Sequence, residues 1–250
     1  MDRIAIVRAE AQRFADVLSK TAPDARCPTC PDWSASDLLW HLTEVHFFWA
    51  GVLEQNARTE SDLAAVQQAK PARPSVTADL LALREQATSA LLDQLGRLDD
   101  ADPRWTWWAP DQTVGFTRRM QTYEATMHRV DAEMTAGLPV GPIAPEVAAG
   151  AVDHAIDVMW GWQPQGSTYE ASAVVEFVAS DIDQRWLVEV GRAADWPRAV
   201  RATTAEPTAT VTAPVVDLGL WVWTRPGEVE ISGQAGSVAA LEAVVTNGMQ

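Results

Sequence analysis

The stretch ASDLLWHLTEVHFFWAGVLEQN, residues 35–56, decides the fold class. Leu38, Leu42, Val45, Trp49 and Val52 recur at three- and four-residue spacing, which places them on one face of an α-helix. Ser34 or Ser36 can cap its start, because a serine hydroxyl accepts from a free backbone N–H of the first turn. His41 stands one turn from Leu38 and one from Val45, so it is expected to face inward with them. His46 is displaced to the flank of that stripe.

Three further segments carry the same period. Residues 2–20 align Ile4, Val7, Ala11, Phe14 and Leu18. Residues 76–98 follow the PARPS break at 71–75 and align Leu80, Leu83, Ala87, Leu91 and Leu95 or Leu98. A loop over 100–115 carries Trp105, Trp107 and Trp108. Residues 117–137 form the fourth segment and stop at Gly137 and Pro139. Four amphipathic helices in succession predict a bundle.

The pattern then changes. GLPVGPIAPE (137–146) reads as a linker, and a short helix is expected at about 145–160. Beyond Gln163 the period shifts towards two, as in strands. ASAVVEFVAS (171–180), RWLVEVG (185–191), VRATTA (200–205), ATVTAP (209–214) and VEIS (229–232) read as strands. VVDLGLWVWTR (215–225) and SVAALEAVV (237–245) read as helices. The expected fold class is α+β in two domains: a helical bundle over 1–140, a linker and connecting helix over 141–163, and a small α+β domain over 164–250.

Composition narrows the function. The net charge is -15. An acidic surface repels nucleic acid and anionic membranes, so neither is an expected partner. No apolar run approaches the roughly 18 residues that span a bilayer. The opening MDRIAIVRAEAQRF carries charge too often for a signal peptide, so the expected location is cytoplasmic. Cys27 and Cys30 form a CxxC pair, but Pro28 and Pro31 suit a turn better than the helix a redox motif would need. With no second pair to complete a structural zinc site, two reduced thiols in a loop are the plain reading.

On the fourth segment, Glu124 and His128 are four residues apart, so both side chains stack on one helix face. Met120, Met127 and Met134 share that side, which turns the pair inward, and Asp131 continues the row. A buried carboxylate needs a partner or a metal. His41, Glu124 and His128 would supply three ligands from facing helices and leave one position open, the layout of a catalytic zinc site. A hydrogen-bonded core histidine and a surface Glu–His pair would give the same spacing. The Trp105–Trp108 cluster has two readings as well, a sugar-binding face or ordinary core packing.

Two motifs carry a family resemblance. CPDWSASDLLWHLTEVHFFW (30–49) resembles the second-helix signature of the mycothiol-dependent maleylpyruvate isomerase family, one of the DinB-like metal-binding bundles. YEATMHRVDAE (123–133) resembles that family's fourth-helix motif, Glu and His four apart followed by Arg, one residue and Asp. LGLWVWTRPGEVEISGQ (218–234) resembles its C-terminal segment, where Arg225 is the matching basic residue. The resemblance implies a DinB-like four-helix bundle followed by a smaller α/β domain of sterol-carrier-like type. It places the metal ligands on His41, Glu124 and His128, and it implies a divalent metal, preferably Zn2+, with mycothiol as thiol cosubstrate.

Such a site would deprotonate the thiol, and the thiolate would attack an electrophilic small molecule. In an isomerase the thiol leaves again after a double bond has rotated; in a transferase the adduct is the product. Asp131 could orient a ligand from behind, and Arg225 could bind a substrate carboxylate. For Arg225 the expectation is a position in a cleft beside the metal, covered by the second domain; the alternative is a cation closing its own helix. Two other functions share the ligand set: a metal hydrolase with water in the open position, and a non-catalytic stress-response module that has kept the bundle.

Overall fold

The computed structural model describes residues 1–247. Contacts divide the chain into two units, Met1–Pro142 and a second that begins at Ile143.

The first unit is helical. It contains α1 (Arg3–Leu18), α2 (Ala35–Glu54), α3 (Leu63–Ala69), α4 (Thr77–Arg97) and α5 (Val114–Thr135). The expected inward face of α1 is buried at Val7, Ala11, Phe14 and Leu18, while Ile4 is only partly covered. α1 packs on α5 and α2 on α4. One core cluster joins Phe14, Leu38, Leu39, Leu42, Leu80 and Ala132 from four helices. Each fully buried leucine in it contributes roughly 1.5–3 kcal/mol relative to exposure.

Two local features differ from the sequence reading. The short helix α3 and a 3₁₀ turn at Glu60–Asp62 lie between α2 and α4, where no helix was expected. Seven residues carry too little periodicity to register as a pattern, and only Val66 is buried. α5 also begins three residues early, at Val114 rather than 117, because Thr113 caps it by accepting from Phe116 N–H. Its end falls where expected. Gly137 has φ 68°, its N–H donates to Met134, and Leu138 N–H donates to Glu133. This is the paired closure in which a left-handed glycine satisfies the last carbonyls of a helix.

The second unit holds α6 (Pro145–His154), continued by a single π turn over Ala155–Met159, then a five-stranded sheet with α7 (Val215–Val222) and α8 (Ala235–Asn247). The strands are β1 (Tyr169–Ala179), β2 (Arg185–Ala193), β3 (Trp196–Arg201), β4 (Ala209–Ala213) and β5 (Glu230–Gly233). Their order is β3-β2-β1-β4-β5, with β1 and β4 parallel and the other neighbours antiparallel. Val175, Phe177, Val188, Val190 and Val211 are fully buried, and α8 packs across β1, β2 and β3. α6 packs on α7, where Trp223 Nε1 donates to the Ala151 carbonyl at 2.9 Å.

The strand expected over 200–205 lies earlier, at 196–201. β2 and β3 form a hairpin with Ala193 opposite Trp196, leaving Ala194 and Asp195 as the turn. Ala194 takes φ 53°, a conformation usually given to glycine or asparagine, so the sequence carries no ordinary hairpin signal there. At Gly233 the usual signal is required: a Cβ would stand 2.4 Å from Ala209 Cα.

Candidate metal centre

The phase of α2 is fixed at its first turn. Ser34 Oγ accepts from Asp37 N–H at 3.2 Å, and Asp37 Oδ2 accepts from Ser34 N–H at 2.9 Å. This capping box satisfies two donors that would otherwise be free. Two turns on, the His41 ring packs on Trp33 with centroids 4.6 Å apart and meets the edge of the His128 ring at 4.8 Å.

α5 supplies the other two side chains. It is the most enclosed helix of its unit: from Met120 to Glu133, Glu124 alone is not fully buried. Glu124 Oε2 lies 3.3 Å from His128 Nε2. His41, Glu124 and His128 each offer one ligand atom, all within 4.8 Å of one another. Three sequence-identified side chains from two helices therefore converge. His41 and Glu124 are half-buried while His128 is buried, so the cluster is anchored on one side and reachable on the other.

The opposite nitrogen of His128 is also held. Nδ1 is 3.0 Å from Asp131 Oδ2, and Asp131 Oδ1 accepts from Thr29 Oγ1 at 2.6 Å. Asp131 is fully buried. A carboxylate behind a histidine fixes the ring's tautomer and orientation and leaves the other nitrogen for a metal. Two imidazoles and one carboxylate with such support fit a divalent cation, and the nitrogen-rich set favours zinc over calcium or magnesium.

The electrostatics of the three residues differ. Burial, then the neighbouring His128 charge, pull His41 down to about 4, against weaker lifting by Glu124 and Asp131. At neutral pH it is an unprotonated donor. Burial also pulls His128 down, but hydrogen bonds and charge from Asp131 and Glu124 outweigh it and hold the ring up to about 9. Without a cation, a proton occupies the place between the two carboxylates.

His46, at the flank of the apolar stripe, is covered rather than exposed. It is fully buried, and its Nδ1 lies 3.0 Å from Thr88 Oγ1 on α4. Burial first, then nearby Arg84, pull it down to about 3, so it is a neutral interior residue. Leu42 and Trp49, one turn either side of it, are the signal that could have located it. Among the tryptophans, Trp105 stacks on Trp49 at 5.9 Å, and Trp107 packs edge-on against Phe116 at 5.7 Å. Arg225 belongs to the second unit, just after α7, where its Nη1 donates to the Trp223 carbonyl at 2.7 Å.

The Arg129 that follows His128 is a structural tie. It is 2% exposed. It donates to Glu10 at 2.6 Å, Glu133 at 2.8 Å and the Gly141 carbonyl at 3.0 Å, and Arg13 meets Glu133 at 3.0 Å. The network binds α1 and α5 to the segment that leaves the bundle.

These elements define a helical bundle with a His–Glu–His cluster followed by an α/β unit. The profile of the mycothiol maleylpyruvate isomerase N-terminal domain matches residues 4–133, more than half of the chain. The chain belongs to that family. It is similar to the crystal structure of the mycothiol-dependent maleylpyruvate isomerase, with 14% identity, a TM-score of 0.62 and 94% of each chain covered. A mutant of that enzyme with one histidine replaced by alanine matches at 13% identity, also with a TM-score of 0.62 and 94% of each chain covered. At such identity the likeness establishes the fold. No curated protein matches the chain by sequence. Among the described residues, no helix is long and apolar enough to cross a membrane.

Proposed function

We propose that this protein is a metal-dependent enzyme that uses a low-molecular-weight thiol, mycothiol, to attack an electrophilic small molecule, as an isomerase or an S-transferase. The observation that carries this reading is the convergence of His41, Glu124 and His128, with Asp131 behind His128. Family membership supports the same class of chemistry.

His41, Glu124 and His128 are the residues proposed to hold the cation, preferably zinc. When bound, the cation supplies Lewis acidity that makes a thiol ionise at neutral pH. His41 contributes a donor that needs no deprotonation. His128 must release its proton first, and Asp131 keeps its ring turned towards the cluster while it does so. The half-buried Glu124 and His41 leave a reachable side for thiol and substrate. Arg225 is proposed to bind an anionic group of the substrate, as a guanidinium fork does for a carboxylate.

The test is a screen of thiol cosubstrates against zinc-loaded protein with conjugated and alkylating electrophiles. Turnover that requires mycothiol supports the reading. Hydrolysis that proceeds without any thiol would replace it with a metal hydrolase. Absence of stoichiometric metal would replace it with a non-catalytic module.

A further inference from the structure

Cys27 and Cys30 form a chemical site apart from the metal ligands. The turn between them is closed by Cys30 N–H donating to the Cys27 carbonyl at 3.3 Å. Cys27 N–H donates to Trp33 at 3.0 Å, and Trp33 N–H to Cys30 at 2.8 Å, so the loop is tied to the start of α2. A β-turn holds its first and fourth Cα atoms within about 7 Å. A disulfide spans Cα separations of about 4.4–6.8 Å, so this turn can accept one with little movement. The two thiols are already hydrogen-bonded to each other. Cys27 is buried and Cys30 half-buried, so Cys30 is the more accessible of the two. Hydrogen bonding with Cys30 first, then with Thr29 and Thr135, outweighs burial and holds the Cys27 thiol below its ordinary range.

The pair is also wired to α5. Cys27 Sγ lies 3.3 Å from Thr29 Oγ1, Thr29 Oγ1 donates to Asp131 at 2.6 Å, and Asp131 holds His128 at 3.0 Å.

We propose that Cys27 and Cys30 are a dithiol–disulfide exchange site whose substrate is the disulfide form of a low-molecular-weight thiol. The more accessible Cys30 passes its proton to the Cys27 sulfur and attacks one sulfur of the external disulfide. A Cys30–sulfur bond forms, the external S–S bond breaks, and one thiolate leaves. Cys27 then attacks the Cys30 sulfur, which forms the internal disulfide and expels the second thiolate. The two cysteines lose two electrons and the external disulfide gains them; the single proton carried by the Cys27 thiolate–Cys30 thiol pair ends on one released thiol and water supplies the other. The exchange does not rest on the metal-dependent reading. Its consequence for that site is that the Cys27 contact at Thr29 changes, and with it the hydrogen-bonded support behind Asp131.

The experiment uses the full-length, metal-free protein and 2-hydroxyethyl disulfide as probe. Released mercaptoethanol, intact mass and iodoacetamide labelling of the chain after unfolding in urea are followed together. The expected result for the native chain is two thiols released per chain, a mass lower by two hydrogens, loss of both labelling sites, and reversal by dithiothreitol. Cys27→Ser is expected to stop at a mixed disulfide on Cys30, with one thiol released. The proposal is overturned if both cysteines of the native chain remain reduced after exposure to excess disulfide, as read by labelling after unfolding, while the urea-unfolded chain oxidises. It is equally overturned if the native protein stops at a stable mixed disulfide. Either result leaves the metal-dependent reading standing, because no metal enters the assay.

Discussion

Asp131 Oδ2 lies 3.0 Å from His128 Nδ1, and on the other side of the same ring Nε2 lies 3.3 Å from Glu124 Oε2. One histidine is thus gripped by a fully buried carboxylate behind and faces a half-buried one in front. The front position is where a cation would compete; the rear one only steers. Asp131→Ala is therefore expected to weaken zinc binding by about 10–100-fold without abolishing it. Chelator competition measures this, and circular dichroism should show the helices intact. An unchanged affinity would reduce Asp131 to a packing residue.

Removing a ligand should have a larger effect than removing its support. His41→Ala and Glu124→Gln are each expected to lose stoichiometric zinc after dialysis, with the fold retained. Elemental analysis reads the outcome. If His46→Gln lost metal as readily, the three-residue assignment would be wrong, because His46 is turned to Thr88 on α4.

The bundle and its His–Glu–His cluster were legible because both rest on helical spacing. Leu38, Leu42 and Trp49 gave the buried face of α2, and Glu124 with His128 gave a row on α5; both hold in three dimensions. What escaped depends on contacts distant in sequence or on unusual backbone. His46 lies beside the stripe in projection, yet α4 covers it with Thr88, 42 residues away. The β2–β3 hairpin turns through Ala194 at φ 53°, which no composition rule flags. Arg129 reads as part of a motif, but only its bonds to Glu10 and Glu133 reveal a brace for the bundle.

That brace makes a separate prediction. Arg129→Ala leaves the Glu133 carboxylate, 1% exposed, without its buried partner. Breaking a buried ion pair from one side typically costs about 3–5 kcal/mol. The variant's unfolding free energy, measured in urea, should fall by an amount of that order, with zinc affinity per folded molecule changed much less. A metal-binding loss larger than the stability loss would place Arg129 in the site instead.

The last prediction concerns pH, where His128 acts in one sense on the metal-free protein and His46 and His41 in the other. His128 titrates at about 9 in the fold, above its unfolded value near 6.5. The folded state therefore binds more protons between those values. The stability His128 supplies is complete below pH ~6.5 and is lost as pH rises towards 9. His46 titrates at about 3, below its unfolded value, so the unfolded chain binds the extra proton. Its contribution is complete above pH ~6.5 and is lost as pH falls towards 3. Thermal unfolding in a chelator should give a stability maximum near pH 6.5, falling on both sides. His128→Gln should flatten the alkaline limb, while His46→Gln should remove only part of the acid limb, because His41, held at about 4, acts there in the same sense. Zinc reverses the first effect, because binding must displace the His128 proton: affinity should rise about tenfold per pH unit up to about 9 and level off beyond it. Affinity independent of pH over 7–9 would mean that the ring is already unprotonated and that Asp131 and Glu124 do not hold a proton between them.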